Sequence, residues 1–256
     1  MSRTLAFEGI DNFRDFGGYA RADGRRLARG RLYRSAGHSR ASDADLDRLA
    51  AMGLEVIIDL RRPDERLRDP TRRPIGFAGR VIDNDENAPD DWRAHLLKGD
   101  LSAESFRRYL LDYYRGAPFH ARHLDLFSRY FAALAAVDGP VLVHCSAGKD
   151  RTGLLVALTH HMAGVHSDDI LEDYLLTNDR ERLARRAPLV AGIIEEMAGV
   201  RPSEAAVMTA MGVEAEYLET AFAAIEGEFG GVDAYLERGL GVDRALREDI
   251  EARLFE

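Results

Sequence analysis

The stretch Val141-Leu-Val-His-Cys-Ser-Ala-Gly-Lys-Asp-Arg-Thr-Gly153 decides the fold of this chain. Its first residues form a short aliphatic run, which predicts a buried strand, and a helix is expected from Thr152 to Met162. Cys145 lies where the predicted strand gives way to a loop, and Arg151 comes just before the predicted helix. A loop that leads from a strand into a helix N-terminus points successive backbone N–H groups into one concavity, which favours an anion.

The segments around this stretch predict the architecture. The run Leu54–Leu60 predicts a second buried strand that ends at Asp59, and residues 30–35 predict another. Beyond Gly164 the apolar residues recur at helical spacing. We therefore expect an α/β fold with a mostly parallel central sheet flanked by helices and a helical C-terminal extension. No linker-like stretch divides the chain, so residues 1–256 are predicted to form a single domain, with the α/β core at about 1–165 and the extension at about 166–256.

Composition and charge exclude several classes of protein. The 256 residues carry 35 Lys and Arg against 44 Asp and Glu, a formal charge of −9, which argues against nucleic acid as the main partner. The longest uncharged stretch, Thr152–Ser167, is too short to span a bilayer. The N-terminus lacks a signal-peptide core, so a cytoplasmic protein is expected, although secretion without a signal peptide stays open. A single cysteine excludes an internal disulfide, and we expect neither a metal site nor a cofactor.

The residue types of the loop suit a phosphate ester. A cysteine thiolate is a strong nucleophile, and the amides of such a loop stabilise it, so Cys145 is the predicted nucleophile. Arg151 can bind two phosphate oxygens at once through its planar fork, which a lysine cannot do. We predict that Thr152 donates its hydroxyl to the sulfur and that His144 holds the loop backbone. The predicted phosphate-binding set comprises Ser146, Ala147, Gly148, Lys149, Asp150 and Arg151.

The pattern His-Cys-X-X-Gly-Lys-X-Arg-Thr-Gly resembles the signature of protein-tyrosine phosphatases. Most of the chain, from about residue 5, resembles one branch of that superfamily, the bacterial family of atypical, broad-specificity tyrosine phosphatases. The resemblance extends over five further segments: Asn12–Tyr19, Gly30–Ala36, Asp59-Leu-Arg61 with Glu65, Ile170–Asn178 and Tyr217–Gly241.

The resemblance has consequences for fold and chemistry. It implies the fold of cysteine-dependent phosphatases, with Cys145 as nucleophile, Arg151 as the phosphate arginine, and Lys149 and Asp150 as the loop lysine and aspartate of the family. Some members that pathogens secrete act on phosphotyrosine, phosphoserine or phosphothreonine, and phosphoinositides. Turnover would proceed by two displacements at phosphorus through a phosphocysteine, without a metal.

The general acid has several candidates. The leaving oxygen needs a proton from a carboxyl group within hydrogen-bond reach. Many relatives carry this aspartate in a Trp-Pro-Asp motif, which the chain lacks; Pro89-Asp-Asp-Trp92 only scrambles it. Asp150, inside the loop, is the first candidate and Asp59 the second. The rest lie in a stretch that a solvated acidic loop would explain as well: Asp83, Asp85, Asp90 and Asp91.

Other residues have two interpretations each. Lys149 is either a positive charge at the mouth of the site, associated in the family with tolerance of phosphoinositides, or part of ordinary loop electrostatics. Asp59 and Arg61 form either a second layer beneath the loop or a structural salt bridge. The arginine-rich segment 61–73 either attracts acidic substrates or a membrane surface, or is a solvated loop. Three tyrosines are interpreted as core and interface aromatics: Tyr109, Tyr113 and Tyr114.

The expected function is phosphomonoester hydrolysis, with phosphotyrosine as the main substrate and a phosphorylated protein as the partner. A phosphoinositide phosphatase and a catalytically silent phosphate-binding module are the alternatives. The intact pair Cys145 and Arg151 argues against the silent module. The sequence makes no prediction about the oligomeric state.

Overall fold

Five strands form one sheet in the computed structural model, which describes residues 3–86 and 91–255. The strands are β1 (Arg14–Asp15), β2 (Leu32–Ser35), β3 (Val56–Asp59), β4 (Arg80–Ile82) and β5 (Val141–His144). Their order across the sheet is β1-β2-β5-β3-β4, and only the pairing of β1 with β2 is antiparallel. The predicted α/β fold with a mostly parallel central sheet is therefore confirmed.

Helices surround the sheet and make up the C-terminal third of the described chain. The helices that precede the end of β5 are α1 (Asp43–Ala51), α2 (Pro63–Arg68), α3 (Asp91–Leu96), α4 (Ala103–Gly116) and α5 (Ala121–Ala136). After the loop come α6 (Asp150–Met162), α7 (Ser167–Leu175), α8 (Arg180–Ala198), α9 (Glu204–Met211), α10 (Ala215–Phe229), α11 (Val232–Leu240) and α12 (Arg244–Leu254). Helix α6 begins two residues before the predicted start at Thr152, so Asp150 and Arg151 belong to its first turn.

The central strands are buried on both faces, which explains their unbroken apolar sequences. Ile57 of β3 and Leu142 of β5 belong to the cluster beneath α1. Their neighbours along β3 and β5 face the main core, which also contains residues of α5 and α6: Val56, Ile58, Val141 and Val143. Because successive side chains of a strand point to opposite faces, these two short runs supply both cores.

Helix α6 is buried along almost its whole length, which is why its sequence is apolar all round. Helices α7 and α11 of the extension pack against it, and α10 packs against α4. The extension thus covers the helix that carries Arg151. None of the helices in the described residues is long and apolar enough to cross a membrane.

Five buried histidines predict a loss of stability in mild acid. Burial disfavours the imidazolium and lowers the pKa of each one below 6.5, and that of His123 to about 3. As the pH falls below 6.5, the unfolded chain takes up protons at these positions before the folded chain does, so the free energy of unfolding falls. For His123 the loss approaches about 1.4 kcal/mol per pH unit between pH 6.5 and its lowered pKa. The five are His38, His95, His123, His144 and His160.

Urea unfolding of the wild type and of His123→Asn between pH 7 and pH 4 tests this expectation. The asparagine amide can replace the imidazole Nδ1, which lies 2.7 Å from the Ala117 carbonyl oxygen. We expect a shallower pH slope for His123→Asn and an unchanged slope for the control His166→Asn, because His166 is exposed. Equal slopes for the two variants would contradict the assignment.

Candidate active site

Cys145 lies on the floor of a cavity of about 670 Å³, directly after the last residue of β5. The parallel register pairs His144 with Ser35 of β2 and with Asp59 of β3, so the three strands end at one edge of the sheet. The cysteine is 2% exposed. The edge of the sheet thus places the thiol at the bottom of a pocket, where ligands of parallel sheets bind.

The loop between β5 and α6 curves tightly beneath the cavity. Its third residue after the cysteine, Gly148, has φ +64, a left-handed backbone that glycine adopts without strain. A Cβ atom there would lie 2.4 Å from the carbonyl oxygen of Ser35, so only glycine fits. The Gly37 amide donates to the carbonyl oxygen of Ser146 at 3.1 Å, which ties the loop to the chain after β2.

Arg151 is held by a carboxylate while two of its donors stay available. Its Nη1 and Nη2 donate to the two carboxylate oxygens of Glu65 at 2.6 and 2.8 Å, and Nη1 also donates to the Leu60 carbonyl oxygen at 3.1 Å. A guanidinium has five N–H donors. The contacts within the described residues use three, which leaves Nε–H and one Nη2–H for a bidentate ligand in the cavity that Arg151 lines.

Glu65 connects the arginine to the loop. Its Oε1 also accepts a hydrogen bond from Ser146 Oγ at 2.6 Å. Burial by itself raises the pKa of Glu65, but the Arg151 guanidinium and the hydrogen bonds from Arg151 and Ser146 outweigh it and hold the pKa well below its ordinary value. Glu65 therefore stays ionised and fixes Arg151 in one orientation. Its pairing with Arg151 carried no sequence signal, since 86 positions separate the two residues.

Asp150 lines the cavity and is anchored through one oxygen. Tyr114 donates its hydroxyl to Asp150 Oδ1 at 3.0 Å, and Tyr174 of α7 donates in turn to the Tyr114 oxygen at 2.7 Å. Lys149 Nζ lies 3.5 Å from the same Oδ1. The hydrogen bonds and ion pairs within the described residues use Oδ1, and Oδ2 is the oxygen left for a ligand.

Asp59 is placed beneath the loop, and it is not among the residues that line the cavity. It is fully buried, and Arg61 binds both of its oxygens, with Nε–Oδ1 at 2.9 Å and Nη2–Oδ2 at 2.7 Å. Burial raises its pKa, but His144 and Arg61 outweigh burial and hold the pKa below its ordinary range. This placement disfavours the interpretation of Asp59 as the acid and favours an ion pair in a layer under the loop.

His144 and Thr152 also lie under the loop and are fully buried. His144 Nδ1 is 3.5 Å from the Cys145 carbonyl oxygen, and its Nε2 is 3.8 Å from Asp59 Oδ2. Thr152 Oγ1 has no hydrogen-bond partner within the described part of the chain, so the predicted contact with the sulfur is not formed in this structure. The hydroxyl remains available for one.

Lys149 does not extend freely at the mouth of the site. Its side chain is 4% exposed, and Nζ donates to the carbonyl oxygen of Ala210 at 2.8 Å, in the last turn of α9. The ammonium therefore satisfies the C-terminal end of a helix of the extension. The hypothesis of a flexible charge at the mouth is replaced by a fixed link between the loop and α9.

The acidic stretch contributes little to the cavity. Asp83 and Asp85 pair with Arg66, and neither lines the cavity. Asp91 lines it. Asp90 lies outside the described residues.

Apolar side chains also line the cavity. Aromatic ones come from α3 and α4: Trp92, Tyr109 and Tyr113. Aliphatic ones come from α8: Leu189, Val190 and Ile193. Tyr109 and Tyr113, which the sequence suggested as core aromatics, thus face the site, whereas Tyr114 is buried beside Asp150.

The charge of the cavity is opposite to that of the chain. Ten cationic and six anionic side chains line it, in a protein whose net charge is −9. The cations beyond the loop come from five parts of the chain and include Arg40, Arg62, Arg182 and Arg186. This excess attracts an anionic ligand into the pocket.

Comparisons with known proteins agree with this geometry. The family model described as "Tyrosine phosphatase family" matches residues 5–256. A protein of Cupriavidus necator named as a tyrosine-protein phosphatase is 36% identical over 246 residues, which cover 94% of this chain and 85% of that protein. The triple specificity protein phosphatase PtpB of Mycobacterium tuberculosis is 34% identical, covering 93% of this chain and 94% of that protein. A tyrosine-protein phosphatase of Nostoc commune is 31% identical, covering 86% and 73%. The chain belongs to the tyrosine phosphatase family.

Proposed function

We propose that this phosphatase hydrolyses phosphotyrosine in proteins through a phosphocysteine formed on Cys145. The observation that carries the proposal is the thiol at the floor of a cationic cavity, with Arg151 beside it holding two unused donors. The thiolate attacks phosphorus and the S–P bond forms while the bond to the tyrosyl oxygen breaks. Water then attacks the phosphocysteine and releases inorganic phosphate, which restores the thiolate.

Arg151 and the loop amides bind the transferred phosphoryl group in this mechanism. In the transition state the three non-bridging oxygens of the phosphoryl group are equatorial and carry spread negative charge, with the Cys145 sulfur and the leaving oxygen in the apical positions. Fixed donors stabilise that charge without reorganising. Four loop residues line the cavity together with the thiol: Ser146, Ala147, Lys149 and Asp150. Glu65 keeps the guanidinium oriented before substrate arrives. Preorganisation of this kind lowers the barrier because its cost is met during folding.

Asp150 is the proposed general acid. It lines the cavity, and its Oδ2 is unoccupied by the contacts described above. In this role the carboxyl group donates a proton to the oxygen that leaves with the tyrosyl group, and the carboxylate takes a proton back from the water that attacks the phosphocysteine.

The aromatic and aliphatic residues that line the cavity support an aryl substrate. A phosphotyrosine ring bound there would contact apolar surface contributed by Tyr109, Tyr113, Leu189 and Ile193. Burial of the ring stabilises the complex by about 25 cal/mol per Å² of apolar surface removed from water. A phosphoserine side chain has no ring to bury. The direct test is turnover of a phosphotyrosyl peptide against the same peptide with phosphoserine, with Cys145→Ser as the blank. Binding of both peptides without turnover would support the silent phosphate-binding module instead.

A phosphoinositide is the second candidate substrate, and the excess of cations in the cavity favours it. Arg182 and Arg186 of α8 line the cavity, where both pair with Asp11. Further phosphates of an inositol ring would be additional anionic partners for these two guanidinium groups. The relative from M. tuberculosis is named a triple specificity phosphatase. Comparison of kcat/KM for a soluble inositol-lipid headgroup and for the phosphotyrosyl peptide separates the two candidates.

Asp150→Asn tests the proposed acid. We expect the variant to lose rate mainly on substrates with poor leaving groups, such as tyrosyl and alkyl phosphates, and much less on an activated aryl phosphate that leaves as a stable anion. The basic limb of its pH–kcat profile should flatten, because that limb reports the acid in the enzyme–substrate complex.

The matched control is Asp91→Asn, which neutralises another carboxylate of the cavity wall. It should leave the dependence on the leaving group unchanged. Equal losses of Asp150→Asn on both substrate types, with an intact basic limb, would cast Asp150 as a residue that shapes the loop.

A further inference from the structure

We propose that Asp173, in helix α7 of the extension, is a positioning residue that sets the orientation of the phosphate loop through two buried arginines. The inference rests on the proposed function, because it concerns how that same loop binds phosphate. Asp173 itself lies outside the cavity, since it is 1% exposed and is not among the residues that line the pocket.

A buried network links Asp173 to the loop. Its Oδ2 accepts from Arg34 Nη1 at 2.9 Å, and Arg34 Nη2 donates to the carbonyl oxygen of Gly148 at 3.0 Å. Asn12 Nδ2 donates to the same carbonyl oxygen at 2.8 Å. Arg14 connects the two branches, since its Nη1 donates to Asn12 Oδ1 at 2.6 Å and its Nη2 to the Asp173 backbone oxygen at 2.9 Å.

The charges of the network require the carboxylate. Arg14 and Arg34 are both almost completely buried, and Asp173 is the carboxylate that pairs with both of them. Burial by itself raises the pKa of Asp173, but the two guanidinium groups outweigh it and lower the pKa to about 2. Loss of this charge would leave two buried cations that repel each other, which is costly for charges that burial has removed from solvent.

The consequence for the loop follows from the planarity of the peptide. In a trans peptide the C=O of Gly148 and the N–H of Lys149 point in opposite directions. Two donors hold the Gly148 oxygen on the side of β1 and β2, away from the cavity. The N–H of Lys149 is thereby turned toward the cavity, which Lys149 lines and Gly148 does not. Asp173 thus orients a phosphate donor from the far side of the loop.

Asp173→Asn tests the proposal. An asparagine keeps the size of the side chain, but it removes the charge and presents an NH₂ group to an arginine, which displaces Arg34 from the Gly148 oxygen. We expect the dissociation constant of inorganic phosphate, measured by calorimetry, to rise about tenfold, as for the loss of one hydrogen bond to a charged ligand. The control is Asp15→Asn, since Asp15 is also a buried carboxylate of this region but, within residues 3–86 and 91–255, accepts hydrogen bonds only from the amides of Gly17 and Gly30.

Phosphate affinity unchanged in Asp173→Asn, or weakened equally in Asp15→Asn, would overturn the proposal, because the second result would mean general destabilisation. If Asp173→Asn does not fold, Arg34→Met is the second test. It deletes the hydrogen bond to the Gly148 oxygen but leaves the buried charges of Arg14 and Asp173 paired with each other. Weaker phosphate binding by Arg34→Met supports the proposal, and unchanged binding overturns it.

The proposed function and the role of Asp173 are refuted by different results. Wild-type protein that binds phosphate but hydrolyses neither an aryl phosphate nor a phosphotyrosyl peptide would refute the enzymatic assignment. The calorimetric comparison of the variants would still report on Asp173.

Discussion

Replacement of Cys145 by serine is expected to abolish turnover and to leave the fold and the affinity for phosphate largely intact. A serine hydroxyl stays protonated at neutral pH and is a poor nucleophile without an adjacent base. The loop amides and Arg151, the proposed phosphate ligands, are untouched by the change, and Glu65 still holds the guanidinium. Steady-state assay with a chromogenic aryl phosphate, together with Tm and calorimetric titration with inorganic phosphate, measures the three quantities.

Retention of a tenth of wild-type kcat, a barrier difference of only about 1.4 kcal/mol, would refute the phosphocysteine mechanism. Alkylation provides a second, independent test of the nucleophile, because Cys145 is the one cysteine in the chain. Iodoacetate should inactivate the wild type by modifying this residue alone, and inorganic phosphate should slow the inactivation. A chelator should leave activity unchanged, as a mechanism without a metal requires.

Arg151→Lys is expected to lower kcat/KM at least about a hundredfold, or about 2.7 kcal/mol. Lysine places a point charge in the site, but it cannot bind Glu65 and two phosphoryl oxygens together through one planar group. The three contacts of the guanidinium with Glu65 and Leu60 show how fully the native orientation depends on that shape. Part of the loss should appear as weaker binding of inorganic phosphate.

Arg247→Lys is the matched control, because Arg247 makes an exposed ion pair with Asp233 at 2.6 Å, outside the cavity. It should change kcat/KM less than twofold, since exposed ion pairs contribute little. A loss below tenfold in Arg151→Lys would instead assign most of the phosphate binding to the loop amides and make Arg151 a structural residue.

The contrast between Asp59 and Asp150 shows where inference from the residues alone stops. Both are carboxylates at the predicted edge of the sheet, and the sequence placed Asp150 first only because it lies inside the loop. In the structure Arg61, two positions after Asp59, turns back and occupies both Asp59 oxygens. Asp150 instead accepts a hydrogen bond from Tyr114, which belongs to a helix far from it in the sequence. Side-chain direction and partner choice depend on packing, which local sequence does not encode.

The sequence by itself determined the strand–loop–helix unit around Cys145, the mostly parallel sheet and the helical extension. These features depend on local signals: aliphatic runs for buried strands, helical spacing of apolar residues, and a loop whose residue types fit one geometry. The tertiary structure alone decided how the loop is held. Glu65 meets Arg151, Ala210 meets Lys149 and Asp173 meets Arg34 only after segments 61 to 139 positions apart have packed together. A buried ion pair or hydrogen bond gains its strength only after both partners have been removed from water by packing. No single segment of the sequence therefore predicts it.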